Sequence, residues 1–534
     1  MANEWSARAL VVAAVVGGLP ATAWAQVVET EGAEADVITS EEASGAADEV
    51  GSDDQSVDAR YRVWGESLDI ADFDAAKSDE LTAIYQQARI DIEAASGSFG
   101  ARLETDLFSG RLWGDEPPAA PPAFESSGTR ASENEAFGDI GNFIDPRNAY
   151  VEYQSLFLLR VGLQTSNYGF GLVANDGVEA DGELFNQKFG GDRVFRALLA
   201  TRPFALFSGA RALKQVTVAV GGDVVYRDDN AEFLDDDRAY QAIASVFYSD
   251  ANPADPEDSR FLGFYYAFRD QEDASGDELN VSAFDVSGKT TWNDDADMWF
   301  YALGFESALI KGDTTRTFTQ TGDLSTEVMG VGAAGEAEVR WKPLAMAVKL
   351  KLGYASGDAN PDDDTLYRFR FDPNYHVGLV LFDQYIPAVT RTAYTRAADP
   401  SRSGAPPKGV EGLISEGAVE NAVYVNPHLL FGDPDGLLTG VGFLWAQSAV
   451  PLYDPYNSFV NGGIPVGVRG APASRDLGME IDVAARYRHR IVDRLQIEGK
   501  VEYGILFPGD AFNDASGASA APQNLVRGRL ALLW

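Results

Sequence analysis

The sequence predicts an all-β fold, a transmembrane antiparallel β-barrel of about 18 strands with short periplasmic turns and long extracellular loops. Three observations predict it. Segments such as LQIEGKVEYGILF alternate apolar and polar residues with period two, which a strand uses and a helix of period 3.6 does not. These segments run about 10–15 residues, with Tyr, Trp and Phe near the ends of the apolar face. Crossing an outer membrane takes about 9–11 residues, whereas soluble strands average about 5–6. The connections alternate between short turns and long acidic loops, as in a barrel with both termini on the periplasmic side.

The N-terminal stretch MANEWSARALVVAAVVGGLPATAWAQ has Arg8, an apolar run and then Ala23-Trp24-Ala25, which reads as a secretory signal peptide over residues 1–25 cleaved near Ala25. Its apolar run is too short to span comfortably, and no other stretch reaches the roughly 18 apolar residues of a membrane helix. The expected destination is a Gram-negative outer membrane. Residues 26–55 are small, acidic and free of aromatics, and read as a flexible periplasmic segment. The barrel then occupies residues 56–534.

Its first nine strands are expected near 57–70, 81–94, 98–110, 146–154, 156–164, 192–202, 214–226, 238–249 and 259–270. The second nine fall near 278–292, 296–310, 324–341, 344–356, 419–431, 436–450, 475–490, 493–506 and 524–534. Short turns are expected at Ala94–Ser98, Asn293–Asp295, Lys342–Pro343, Gly432–Asp435 and Ile491–Val492, and long loops at 111–145, 165–191, 357–418, 451–474 and 507–523. The last strand, NLVRGRLALLW, sets Val526, Leu530, Leu532 and Trp534 on one face and Arg527 and Arg529 on the other. In a barrel the first face meets lipid and the second points into a wet lumen, with Trp534 at the periplasmic rim.

The composition excludes several functions. With 82 acidic residues against 42 basic and a formal net charge of −40, nucleic acid is not an expected partner. There is no cysteine, hence no disulfide, thiolate metal site or cysteine nucleophile. GVGAAG at Gly330–Gly335 matches a dinucleotide fingerprint but leads into a strand pattern, so no helix N-terminus stands ready for a phosphate. AFDVSGKT at Ala283–Thr290 looks like a phosphate loop yet lies inside an alternating strand. His376, His428 and His489 make no metal-ligand spacing, and the runs Asp235-Asp236-Asp237 and Asp362-Asp363-Asp364 read as solvated loop charge. No nucleophile, base and oxyanion donor come together, so neither enzyme activity nor a cofactor is expected.

The sign of the lumen face is more informative. By parity of alternation, Arg60, Arg62, Arg89, Arg102, Arg160, Arg340, Lys349, Lys351, Arg486, Arg488, Lys500, Arg527 and Arg529 point inward and form the candidate solute path. Rings of Arg or Lys in a pore favour anions. Neighbours such as Glu93, Glu104, Asp106, Glu338 and Glu498 are positioned to pair with some of them.

Two stretches carry a family resemblance. AYVEYQSLFLLRVGLQTSNYGFGLVAND, residues 149–176, resembles the strand, turn and strand of the alginate-export family of outer-membrane barrels, with Gly162-Leu163-Gln164 where that family has G-R-Q. LGYASGDANPDDDTLYRFRFDPNYHVG, residues 352–378, is similar to its G-Y-x-S/T-G-D…D-D…F-D-P segment through Gly357-Asp358, Asp362–Asp364 and Phe371-Asp372-Pro373. The resemblance implies an 18-stranded monomeric barrel with an electropositive, loop-occluded pore for an acidic polysaccharide. A C-terminal aromatic such as Trp534 is what the barrel assembly machinery reads in proteins that this one resembles.

The expected function is an outer-membrane channel with a cationic lumen, exporting an acidic, alginate-like polysaccharide. The alternatives are a diffusion porin for small anions or other nutrients, and a plugged barrel serving adhesion or surface assembly. Expected partners are outer-membrane lipid and lipopolysaccharide, the assembly machinery, and an anionic polysaccharide or small anions. No segment reads as a trimer contact, so a monomer is expected. The loops 165–191 and 357–418 are expected to fold over or into the pore.

Overall fold

The computed structural model describes residues 54–71, 78–115, 144–179, 183–186, 190–205, 209–252, 255–316, 325–360, 363–404, 414–462, 464–492 and 494–534. The proposed signal peptide and most of the acidic segment lie outside these residues. Among the described residues, eighteen strands run in sequence order around a closed antiparallel barrel, and a two-residue strand, Thr365–Leu366, pairs in parallel with Glu327 and Val328 at its extracellular edge. The barrel strands are β1 (Asp54–Ala71), β2 (Ser78–Ser96), β3 (Phe99–Gly114), β4 (Ile144–Gln154), β5 (Phe157–Thr165) and β6 (Arg193–Thr201), then β7 (Val216–Arg227), β8 (Arg238–Asn252), β9 (Asp255–Glu272), β10 (Glu278–Asn293), β11 (Trp299–Thr314) and β12 (Thr326–Trp341). The circuit continues through β13 (Met346–Ala355), β14 (Ala422–Gly432), β15 (Leu437–Leu452), β16 (Ser474–Val492), β17 (Leu495–Pro508) and β18 (Gln523–Leu533).

Closure is made by β1 and β18, which pair from Arg60↔Leu533 to Asp69↔Asn524. Trp534 completes the seam by exchanging two backbone hydrogen bonds with Ala59. No barrel edge is then left unpaired in hydrocarbon, where each open N–H or C=O costs several kcal/mol, of order ~4. The alternation read from the sequence is the one the barrel uses. On β17, Ile497, Val501, Tyr503 and Phe507 face outward while Glu498, Lys500 and Glu502 are buried inward. Aromatic pairs mark the periplasmic end of the outer face, among them stacked Trp299 and Trp341 and stacked Trp292 and Tyr301.

Two nucleotide-like motifs lie within strands, GVGAAG in β12 and AFDVSGKT in β10. The periplasmic link between β6 and β7 includes a helical turn, Arg211–Lys214.

The lumen is not empty. The described residues of the connections β5–β6 (166–192) and β13–β14 (356–421) run inward and pack against each other and the wall. Phe369, Phe371, Tyr375, Leu379, Val380, Leu381, Phe382 and Tyr385 are buried among Leu172, Leu184 and Phe185 of the other connection and wall residues such as Tyr424, Leu444, Leu506 and Leu525. Glycines in the wall make room. A Cβ on Gly332 would meet the Phe369 ring at 2.3 Å, and one on Gly353 would meet Tyr424 at 2.5 Å. A short helix, Ile386–Ala398, follows a π-helical turn, Leu381–Tyr385, in the second loop.

Backbone amides of these loops cannot join the barrel ladder, so wall side chains receive them. Glu480 on β16 accepts from the N–H groups of Leu379, Val380 and Leu381 at 2.5, 2.9 and 2.7 Å. Glu306 on β11 accepts from Phe170 and Leu172, and Glu502 on β17 accepts from Phe185. From β4, fully buried Arg147 donates to the carbonyl oxygens of Asp176 and Gly190, closing the base of the first loop.

Glu480→Ala strands three buried donors at about 1–3 kcal/mol each, which exceeds what a lumen loop can absorb without opening. Trypsin cleavage at Arg391 and Arg396 is expected to accelerate while heat-modifiable migration of the barrel persists. Unchanged cleavage would mean that Glu480 does not hold the loop.

Candidate functional site

All thirteen cations named from the sequence lie on the inward parity, and strand register decides which of them meet. On β16, β17 and β18, Arg486, Lys500 and Arg529 stand side by side in one row, Arg486↔Lys500 and Lys500↔Arg529. The rows on either side are mixed. One carries Arg488 and Glu498, the other Glu502, Arg527 and Glu66. Arg62 and Arg60 of β1 continue the basic surface toward the periplasmic end, and Arg60 pairs in register with Arg89 of β2.

The pairing expected for some of these cations is extensive. Arg89 grips Asp106 through Nε at 2.6 Å and Nη2 at 2.9 Å, with Glu104 at 3.2 Å. Arg102 holds Asp91 at 2.8 Å and Glu93 at 3.1 Å. Arg160 meets Glu152 at 2.9 Å, Arg340 meets Glu338 at 2.8 Å, and Lys349 and Lys351 lie 3.4 and 3.8 Å from Glu338 and Glu336. Glu498 serves Arg488 at 2.8 Å, Arg529 at 2.7 Å and Arg486 at 3.9 Å. Arg527 lies between Glu66 at 3.2 Å and Glu502 at 3.8 Å. Buried charges demand such partners, because several kcal/mol, of order ~4, is lost by leaving one alone.

Basic and acidic side chains interleave around this row, and the same strands also carry inward-facing Asp91, Glu93, Glu480 and Asp482. Arg60, Arg62, Arg89, Arg147, Arg486, Arg488, Lys500, Arg527 and Arg529 share Glu66, Glu104, Asp106, Glu179, Glu498 and Glu502. Arg60 Nε is buried without a hydrogen-bond partner among the described residues.

Glu179 was not among the residues singled out in the sequence. It sits on the first inward loop, crosses the lumen from β5, and reaches Arg529 at 2.6 Å, Lys500 at 3.4 Å and Arg62 at 3.4 Å. Burial alone would raise its carboxyl, but Arg529, Lys500 and Arg62 together hold it well below the usual carboxylate range.

A second group of arginines, also missed, was legible by the same parity: Arg196 alternates with lipid-facing Phe195 and Ala197 on β6. Arg193, Arg196, Arg227 and Arg269 are paired with Asp145, Asp223, Glu232 and Asp228 at 2.5 to 2.8 Å.

Above the β6–β12 side of the wall lies a cavity of about 340 Å³ at the extracellular end. Its floor is apolar, with Leu172, Val194, Val281, Ile310 and Phe369, and its rim holds Arg269, Arg316, Arg368 and Arg370 beside Asp192, Asp228 and Asp229. The three aspartates place carboxylate oxygens within 4.8 Å of one another. Of the acidic runs noted in the sequence, Asp237 instead caps a loop through the N–H groups of Glu232 and Ala274. The histidines are dispersed, with His376 against Asp383 at 2.9 Å, His428 against Asn426, and His489 stacked on Tyr487.

Burial, reinforced by Asp228, pushes the Asp229 carboxyl up to about 6, and burial with Asp372 and Asp228 pushes Asp192 well above its ordinary value. A raised carboxyl favours the folded loop in its protonated form. That contribution is complete below about pH 4, the ordinary carboxylate value, and is lost as pH rises through about 6. The rim thus gains negative charge across that window. In salt-gradient recordings, chloride preference is expected to fall between pH 5 and pH 7.5, and Asp229→Asn is expected to flatten the step. A pH-independent reversal potential in the parent protein would contradict this.

No family model matches the chain, and no curated protein matches it. Among solved structures, Acinetobacter baumannii OccAB1 is similar at 11% identity, covering 91% of this chain and 98% of that one, with a TM-score of 0.49. Pseudomonas aeruginosa OprD is similar at 10% identity, covering 92% and 95%, with a TM-score of 0.48. Pseudomonas aeruginosa OccK2, solved in complex with glucuronate, is similar at 11% identity, covering 90% and 97%, with a TM-score of 0.45. These are outer-membrane proteins of the Occ and OprD type, and the expected membership of the alginate-export family is corrected accordingly. The quoted segments have local roles in this chain: Asp358 and Asp372 accept from the N–H groups of Asn360 and Asn374, two residues on, which is turn chemistry open to any inward loop.

Proposed function

We propose that this outer-membrane barrel conducts small, carboxylate-bearing solutes along the wall of β1, β2 and β16–β18. The observation that carries the reading is the all-basic row Arg486, Lys500 and Arg529, adjoined by Arg62. A carboxylate moving along it exchanges one charge-assisted hydrogen bond for the next, so entry is favoured without a trap at any single site.

The packed loops support a small solute over a polymer. Leu379, Val380, Leu381 and Phe382 are fully buried inside the barrel, so loop residues fill lumen space that a wide polymer would need. Polysaccharide export is therefore not retained. Diffusion through such a route needs no energy source, and uptake down a concentration gradient is the direction this reading assigns.

Planar-bilayer recording under a KCl gradient tests it. The parent protein is expected to prefer chloride over potassium and to show current blockades with millimolar glucuronate but not with glucose. Arg60→Gln combined with Arg62→Gln removes two cations of β1, and in variants that still form a heat-modifiable barrel about tenfold more glucuronate should then be needed for half-block, on the order of 1.4 kcal/mol. Cation preference in the parent, or equal response to glucose and glucuronate, would sink the proposal. A protein that inserts but passes no current would favour the plugged barrel.

A further inference from the structure

We propose that Glu179 is a tethered occupant of a carboxylate site formed by Lys500, Arg529 and Arg62. The loop carboxylate fills the site at rest, and a permeating carboxylate fills it in transit. The inference rests on the carboxylate-channel reading and adds a self-competing step to it.

Strand register creates the need. Like charges directly opposite one another across paired strands repel, and Arg486, Lys500 and Arg529 stand in one such row. The adjoining rows offer Glu498 and Glu502, but both are divided. Glu498 is shared with Arg488 and Glu502 with Arg527, and Glu502 also accepts the Phe185 amide. The row therefore draws its remaining counter-charge from the lumen. Glu179 supplies it with both oxygens, at 2.6 and 2.9 Å from Arg529 Nη1, with Lys500 Nζ and Arg62 Nη1 each at 3.4 Å.

Glu179 stands on a loop and not on a strand. Arg147 clamps the carbonyl oxygens of Asp176 and Gly190 on either side of it. Gly177, directly after the clamp, holds φ +68, a turn that a side chain disfavours. Glu179 follows two residues later. The other carboxylates serving the row stand on strands and cannot leave it. Exchange of Glu179 for a solute carboxylate swaps one anion for another, so the basic row stays compensated throughout. The two are mutually exclusive, and Glu179 lowers the apparent affinity of the site while keeping the wall from trapping its cargo.

The absence of native cysteine makes the test clean. Glu179→Cys in the full-length protein is recorded in planar bilayers before and after reaction with a sulfonatoethyl methanethiosulfonate, which restores a negative charge, or with its trimethylammonium counterpart. Glu179→Gln provides the same neutralisation without reagent. Both variants are expected to raise the chloride-to-potassium permeability ratio and to lower the half-blocking glucuronate concentration about tenfold. The sulfonate reagent should return both quantities toward the parent values, and the trimethylammonium reagent should not. Folded variants whose permeability ratio and block equal the parent's overturn the proposal. So does failure of both variants to form a heat-modifiable barrel, which would make Glu179 a structural counter-charge. If glucuronate blocks neither parent nor variants, the carboxylate-channel reading fails, and the permeability ratio alone decides whether Glu179 occupies the basic row.

Discussion

Charge compensation inside a closed barrel is the constraint on which the rest of this structure depends. Closure forces every second residue of eighteen strands to face the lumen, and here much of that lumen is occupied by protein. Charges on the inner face are consequently buried, and a buried charge persists only with a partner. The dense pairing of Arg89 with Asp106, Arg102 with Asp91, and Arg529 with Glu498 and Glu179 follows from that requirement. The formal charge of −40 gives no hint of it, since the basic row Arg486, Lys500 and Arg529 is assembled only when three strands come into register.

The same wall solves a second problem. Loops that turn inward carry backbone amides with no strand to join, and Glu480, Glu306 and Glu502 accept them in clusters. Acidic residues thus divide into two classes, those that neutralise arginines and those that hold loops. Glu502 does both, linking the position of the first loop to the basic row of the proposed solute path.

The strands were legible because their signal is local. Alternation along β13, β16, β17 and β18 assigns each residue to lipid or lumen without knowledge of its neighbours, and the lumen arginines follow by parity. Their partners were not legible. Glu179 is 117 residues from Arg62 and 350 from Arg529 in sequence, and they meet only after the barrel closes and the loop crosses it. Arg196 and Arg269 were within reach of the same parity argument, while Asp192, Asp228 and Asp229 converge through loop packing that no local pattern encodes. The family resemblance misled for a related reason: Gly357-Asp358 and Phe371-Asp372-Pro373 follow from the turns an inward loop must make, and such turns are not confined to one family.

The inward loops form a packed core anchored on the barrel wall. Amide hydrogen exchange in lipid nanodiscs tests this most directly. Leu379, Val380 and Leu381 should exchange as slowly as the strands of β16, because their N–H groups are buried on Glu480. Exchange of these amides at the rate of an open loop would mean that the lumen is wide and the wall anchors unformed, which would contradict the account.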